Sequence, residues 1–295
     1  MRRFFTRKRL IIGTGMIVLV VLLILYVGFP FGSALVTATP QTASDGNAPD
    51  GFDHVTWTTG DGVQLGGWYA GPEKGAAILL VQGGGDGRGS VRDYAAMLRA
   101  HGFGVLALNL RGFGDSAGQI NRLGWRATED IGTATAFLNQ QEGVNAVGGL
   151  GLSMGGEALL GAASAFPELT AIVADGATYR SAADYESLPE NSAWYRSFSQ
   201  NTFNAFVRLL TGDTPPERTL LDSIAQSSGT RFLLIAAGTN SDEVAYNTLF
   251  HEAVPERSAL WVIPDVGHTA GYANDPDAYR TRVASFFNQA LLQQN

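Results

Sequence analysis

Six short apolar runs recur along the chain: AAILLVQ (76–82), GVLALNL (104–110), VNAVGGLGL (144–152), LTAIVAD (169–175), RFLLIAAG (231–238) and SALWVIP (258–264). Between them lie segments of helical periodicity, at 91–102, 126–141, 153–166 and, after the last run, 275–293. A continuous apolar run of this length reads as a strand covered on both faces. Strands that alternate with helices pair in parallel, with the helices crossing over both faces of one sheet. Ahead of these elements, FDHVTWTT and VQLGGWYA flank GDG (60–62), the pattern of an antiparallel hairpin. The expected fold is a three-layer α/β/α sandwich, a mostly parallel sheet with an N-terminal antiparallel hairpin.

The N-terminus follows another rule. From Leu10 to Phe31 there are 22 residues without a charge. At about 1.5 Å per helical residue this covers the roughly 30 Å hydrocarbon core of a bilayer. Arg2, Arg3, Arg7, Lys8 and Arg9 precede it, which predicts a cytoplasmic tip and an extracytoplasmic remainder. A cleaved signal peptide is the alternative, with VTA (36–38) as a small-x-small cleavage site, although the apolar run exceeds the roughly 7–15 residues of such peptides. Either way the domain is exported. Residues 33–50, SALVTATPQTASDGNAPD, show no apolar face and read as a flexible tether. The expected organisation is a tip and anchor at 1–32, the tether at 33–50 and one folded domain at 51–295.

With the five leading basic residues set aside, fifteen Lys and Arg face 27 Asp and Glu, so the rest of the chain carries −12. Such a domain has no general attraction for nucleic acid. There are no cysteines and four scattered histidines, which excludes disulfides and argues against a zinc site. QGGGDGRG (82–89) is glycine-rich, but no Lys-Ser/Thr follows as in a nucleotide-binding loop. No cofactor is expected.

The pattern G-x-S-x-G occurs twice, as GDSAG around Ser116 and GLSMG around Ser153. A nucleophile elbow needs a strand leading straight into a tight turn and then a helix. Ser153 has the 144–152 run before it and the 153–166 helix after it. Ser116 lies in a glycine-rich turn followed by AGQINRLG, which is no helix start. Ser153 is the candidate nucleophile, and Ser116 reads as a loop serine bonded to nearby backbone.

GLSMGG and LNLRGFGDSAG, in this order of elements, resemble the α/β-hydrolase fold superfamily over roughly residues 53–293. The resemblance implies a catalytic His on the loop after the last strand, here His268. His54, His101 and His251 lie in a strand, at a helix end and within a helical run. It also implies an acid on the loop after the 231–237 strand, where Asp242 is the first choice. Asp242 stands four residues after Gly238, one more than is common in the family, so Glu243 and Asp175 remain alternatives. The oxyanion amides are expected from Met154, after the nucleophile, and from Gly84. Gln82 departs from the family's usual His at the start of that loop. Arg111 reads as a structural partner of a nearby carboxylate.

About 55 residues separate the strands that end near Asp175 and begin near Arg231, where a simple crossover needs about a dozen. Residues 176–230 are therefore expected to form a small helical cap. Its aromatics Tyr179, Tyr185, Trp194, Tyr195, Phe198, Phe203 and Phe206 are expected to line an apolar pocket. Together these features point to an extracytoplasmic serine hydrolase cleaving carboxylic esters or related acyl bonds of a small substrate with an apolar group. An acyltransferase, a peptidase or a silent binding module on the same fold are the alternatives.

Overall fold

The computed structural model describes residues 2–40, 45–85 and 87–293. Eight strands form one sheet: β1 (Asp53–Thr58), β2 (Gln64–Ala70), β3 (Ala76–Val81), β4 (Gly104–Leu108), β5 (Ala146–Leu152), β6 (Leu169–Asp175), β7 (Arg231–Ala237) and β8 (Ser258–Ile263). Their order is β1-β2-β4-β3-β5-β6-β7-β8. β2 pairs antiparallel with both β1 and β4, and all other pairs are parallel. The chain winds outward from β3 to β4 and then returns to the other side of β3 to lay down β5. That reversal opens a crevice at the carboxyl ends of β3 and β5, where open α/β sheets bind ligands.

The helices are α1 (Arg2–Leu23), α2 (Phe29–Ala38), α3 (Arg92–Ala100), α4 (Ala127–Asn139), α5 (Met154–Ala162), α6 (Ala182–Tyr185), α7 (Trp194–Thr211), α8 (Leu220–Ala225), α9 (Ser241–Ala253), α10 (Gly271–Asn274) and α11 (Pro276–Phe287). Every residue of β3 is buried, and its side chains alternate between two cores. Ala77, Leu79 and Val81 join Ile131 and Leu138 of α4, Leu159 of α5, Ile224 of α8 and Phe250 of α9. Ala76, Ile78 and Leu80 join Leu98 of α3 and Tyr279, Val283 and Phe287 of α11. The period-2 geometry of a strand thus sends one apolar run into both layers, as the uninterrupted pattern of 76–82 predicts.

The N-terminal helix covers the expected span and continues into the segment expected as a tether. α1, a π-helical turn at Ile24–Gly28 and α2 follow one another without a break, so the helix passes Phe31 and ends at Ala38. Residues 33–38 continue the helix, with Ala34 and Thr37 buried against the protein, and such packing supplies most of a helix's stability. After residues 41–44, which lie outside the described residues, Asp45 accepts from Asn109 Nδ2 at 2.6 Å, and Arg92 donates to the Asn47 carbonyl. The segment 45–50 is tied to the domain rather than free of it.

The insertion at 176–230 is helical, with α6, α7 and α8, but its aromatics do not line a common pocket. Tyr179 meets Tyr185 edge to face and Tyr246 at a tilt, with ring centroids 5.0 and 5.5 Å apart. Phe203 and Phe206 pack with Val207, Trp125 and Ala34 in a small third cluster. Trp194, Tyr195 and Phe198 are exposed. The reason is α2: it lies along α7 and takes the apolar face that would otherwise turn inward.

Candidate active site

β5 runs into α5 through a single residue, Ser153, whose φ of 51° and ψ of −120° fall outside the usual regions for an L side chain. Such a conformation costs on the order of 1–3 kcal/mol and persists only where its surroundings enforce it. Ser153 N–H donates to the Asp175 carbonyl at 2.7 Å, pinning the turn to the end of β6. The flanking glycines are required sterically. A Cβ on Gly151 would meet the Gly155 carbonyl at 2.3 Å, and one on Gly155 would meet the Val81 carbonyl oxygen at 2.5 Å. Strand, turn and helix are therefore packed against each other backbone to backbone, and the serine Oγ is the group left standing clear.

His268 Nε2 lies 2.9 Å from Ser153 Oγ, and His268 Nδ1 lies 2.5 Å from Glu243 Oε1. The histidine sits on the turn after β8, between Asp265 and Thr269, both at positive φ. The Val266 carbonyl accepts from Thr239 Oγ1 at 2.6 Å, tying this turn to the one after β7. At Gly176 a Cβ would lie 3.1 Å from His268 Nδ1, so the imidazole packs against the bare backbone after β6.

Asp242, the expected partner of His268, is corrected by the geometry. Asn240 caps α9 and accepts from the N–H groups of residues 242 and 243. At the second helical position Asp242 projects into solvent, whereas Glu243 at the third turns back over the helix start. There Glu243 is fully buried. It accepts from Ala237 N–H and Asn240 Nδ2, each at 2.8 Å, and faces His268. The spacing Asn240-x-x-Glu243 is that of a capping box, in which the third residue folds back; this was the signal available in the sequence. Asp175 is buried beneath, accepting from Tyr279 Oη at 2.8 Å, and has no hydrogen bond to His268.

These contacts set the charges. The bond to Glu243 raises the His268 pKa above its ordinary value, against the opposing effect of desolvation. Burial resists ionisation of Glu243, but His268, Ala237 N–H and Asn240 outweigh it and hold the carboxyl below its usual range. Burial pushes Asp175 up to about 7.

The loop after β3 closes the other side. A cleft of about 350 Å³ is lined by Gly83, Gly84, Ser90, Tyr94, Ser153 and His268, among others. A Cβ on Gly83 would lie 3.5 Å from Ser153 Cβ, and one on Gly84 would lie 3.6 Å from Met154 Cβ. Met154 opens α5, so its amide belongs to the N-terminal set that α-helical bonding leaves free. Gln82 is fully buried, and its side-chain amide meets no partner among the described residues. Asp86, in the same loop, lies outside them.

The other candidates hold structural positions. Ser116 Oγ donates to the Asn109 carbonyl at 2.7 Å and accepts from Gly66 N–H at 2.9 Å, stitching the loop to β2. Arg111 reaches Asp130 at 2.6 Å and Asp61 at 2.9 Å. His54 bonds Asp115, His101 the Met97 carbonyl and His251 Ser258.

The family model described as serine aminopeptidase, S33, matches residues 72–228, more than half of the chain. Among solved structures, esterase Pf2001 of Pyrococcus furiosus is similar at 22% identity, covering 86% of this chain and 98% of that one with a TM-score of 0.70. The α/β hydrolase GrgF of Penicillium sp. sh18 is similar at 18% identity, covering 82% and 99% with a TM-score of 0.64. Dienelactone hydrolase of Anabaena variabilis ATCC 29413 is similar at 20% identity, covering 81% and 98% with a TM-score of 0.58. No curated protein matches the chain in sequence. These structures share its fold. Given the extent of the family match, the chain belongs to the serine aminopeptidase S33 family and is an enzyme of the α/β-hydrolase type.

Proposed function

We propose that this chain hydrolyses carboxylic esters through Ser153, His268 and Glu243. The observation that carries the reading is the unbroken relay from Ser153 Oγ to His268 Nε2 and from His268 Nδ1 to Glu243 Oε1. His268 takes the serine proton as Oγ attacks the acyl carbonyl, then gives it to the departing alcohol. Glu243 fixes the tautomer and stabilises the imidazolium without taking the proton. The amides of Met154 and Gly84 are assigned to the oxyanion, whose charge they meet at the start of α5. Water then resolves the acyl-enzyme by the same path in reverse.

Residues 1–32 are assigned as a cytoplasmic tip and membrane span, and the folded domain to the extracytoplasmic side, on the strength of the basic cluster before an apolar helix.

The test is labelling with a fluorophosphonate and turnover of a short 4-nitrophenyl ester by the wild type, Ser153→Ala and Ser116→Ala. The expected outcome is labelling and turnover in the wild type, with both lost in Ser153→Ala. Ser116→Ala should keep its labelling and lower the melting temperature, because a buried Asn109 carbonyl and Gly66 N–H lose their partner. Labelling that survives Ser153→Ala overturns the proposal.

A further inference from the structure

We propose that Asp45, from the stretch that joins the N-terminal helix to the domain, is a positioning residue for the oxyanion site. The proposal rests on the hydrolase reading of Ser153 and concerns what holds Gly84 in place beside it.

The loop that offers the Gly84 amide draws no side-chain support from the residue that starts it. Both polar side-chain atoms of Gln82 are buried without a partner among the described residues. Three glycines follow, Gly83 to Gly85, and glycine loses more conformational freedom on ordering than any other residue. An amide that stabilises an oxyanion must nevertheless be fixed before the charge develops. That order has to come from outside the loop.

Asp45 is built into the fold where it can supply it. Its side chain is 9% exposed and stands among three glycines. A Cβ on Gly87 or Gly114 would collide with its carboxylate, and one on Gly89 would lie 2.8 Å from its carbonyl oxygen. Asn109, just after β4, donates from Nδ2 to Asp45 Oδ2 at 2.6 Å, and its Oδ1 accepts from Arg88 N–H at 2.7 Å. One asparagine thus joins the segment to the loop. Gly87 carries the contact into the cleft. Its carbonyl accepts from the N–H and the Oγ of Ser90, at 3.1 and 2.9 Å, and Ser90 lines the cleft with Ser153. Arg92, which donates to the Asn47 carbonyl, opens the helix whose Tyr94 lines the same cleft.

Gly84 also packs on Arg122, whose carbonyl oxygen would lie 3.2 Å from an added Cβ. Arg122 donates from its N–H to the Thr37 carbonyl at 3.2 Å and from Nη2 to the Thr39 carbonyl at 3.0 Å. The chain leaving the N-terminal helix therefore holds the oxyanion loop through two contacts. The bonds among Ser153, His268 and Glu243 involve none of these residues. Loss of Asp45 weakens oxyanion stabilisation and leaves the base intact. The catalytic unit begins at Asp45, within the stretch that the sequence reads as tether.

The test measures turnover of a short 4-nitrophenyl ester by the full chain in mild detergent. The variants are Asp45→Ala, Asp45→Asn, Gly87→Ala, the double variant Asp45→Ala with Gly87→Ala, and Ser153→Ala. Ile224→Val trims a buried side chain of α8 and controls for lost stability.

Asp45→Ala should lower kcat about 10- to 100-fold with KM within about twofold, because a misplaced oxyanion donor is felt in the transition state. The acid limb of the pH profile should not move, since it reports His268. Asp45→Asn keeps the shape, and Asp45 Oδ1 accepts no bond among the described residues. Its kcat should return to within about threefold of the wild type. Gly87→Ala should slow the wild type much as Asp45→Ala does, and add less than about twofold in the double variant, because both act on one contact. Ile224→Val should lower the melting temperature and leave kcat unchanged. An unslowed Asp45→Ala, a moved acid limb, an Asp45→Asn as slow as Asp45→Ala, or additive losses in the double variant each overturn the positioning role. An equal loss of kcat in Ile224→Val assigns the effect to stability and also overturns it. If Ser153→Ala keeps turnover, the hydrolase reading falls and this proposal with it. If Ser153→Ala is inactive while Asp45→Ala is not slowed, only the positioning role falls.

Discussion

At the scale of single residues, two adjacent carboxylates on one turn of helix differ in fate because of their angle about the helix axis. Asp242 points to solvent and Glu243 to the imidazole. Glu243→Gln should lower kcat by on the order of 10²–10⁴-fold, the range for a disabled general base or its orienting acid, while Asp242→Asn should leave turnover within about twofold. The pH profile separates the two further. A protonated His268 cannot accept the serine proton, and Glu243 raises its pKa above the ordinary 6.5. The acid limb of kcat/KM in the wild type should therefore lie above that value and move to lower pH in Glu243→Gln.

The same pair couples to stability with opposite signs. The raised His268 pKa contributes stability below the ordinary histidine value, lost as pH rises through the folded pKa. The lowered Glu243 pKa contributes above the ordinary carboxylate value, lost as pH falls through the folded one. The turn at Ser153 and the loop seat of Ser116 were legible in the sequence, because each depends on a local order of strand, turn and helix, and the place of His268 after the last strand followed from the resemblance. For the acid the sequence carries only the capping-box spacing of Asn240 and Glu243; one residue along a helix rotates a side chain by about 100°, and the packed turn shows which carboxylate faces inward.

At the scale of elements, the β5–α5 junction works because nothing but backbone separates it from β3. Gly155→Ala would place a Cβ 2.5 Å from the Val81 carbonyl oxygen and 2.6 Å from that of Gln82. Relief requires moving a central strand, at about 1–3 kcal/mol for a forced fit of this kind. The expected outcome is a melting temperature lower by roughly 2–4 °C per kcal/mol, and loss of fluorophosphonate labelling while the protein is still folded. Gly60→Ala, in the hairpin turn with nothing within 4 Å of the added carbon, should change neither. Differential scanning fluorimetry and gel-based labelling read both. The glycines of GLSMGG could be marked as a tight turn from sequence alone, but the contact that fixes Gly155 lies across the sheet, at Val81 and Gln82 some seventy residues earlier.

At the scale of the whole molecule, the N-terminal helix and the domain share a core. Removing residues 1–38 would uncover Phe203, Phe206, Val207 and Trp125, which pack on α2. Each such side chain is worth about 1.5–3 kcal/mol when fully buried. A chain beginning at Asp45 should therefore unfold at lower temperature and self-associate in size-exclusion chromatography. A chain beginning at Phe29 keeps α2 and should remain monodisperse in mild detergent. If the two behave alike, the α2–α7 contact contributes little. The sequence by itself determined the α/β alternation, the antiparallel hairpin, the apolar span and the elbow serine, because each is written as a periodicity or a short ordered motif. The tertiary structure decided three things: that Glu243 meets His268, that residues 33–38 are helix, and that the aromatics of 176–230 divide between Tyr246, the exposed start of α7 and α2. All three depend on which surfaces remain to be covered once distant elements have packed, and only the first left a local trace, in the spacing of Asn240 and Glu243.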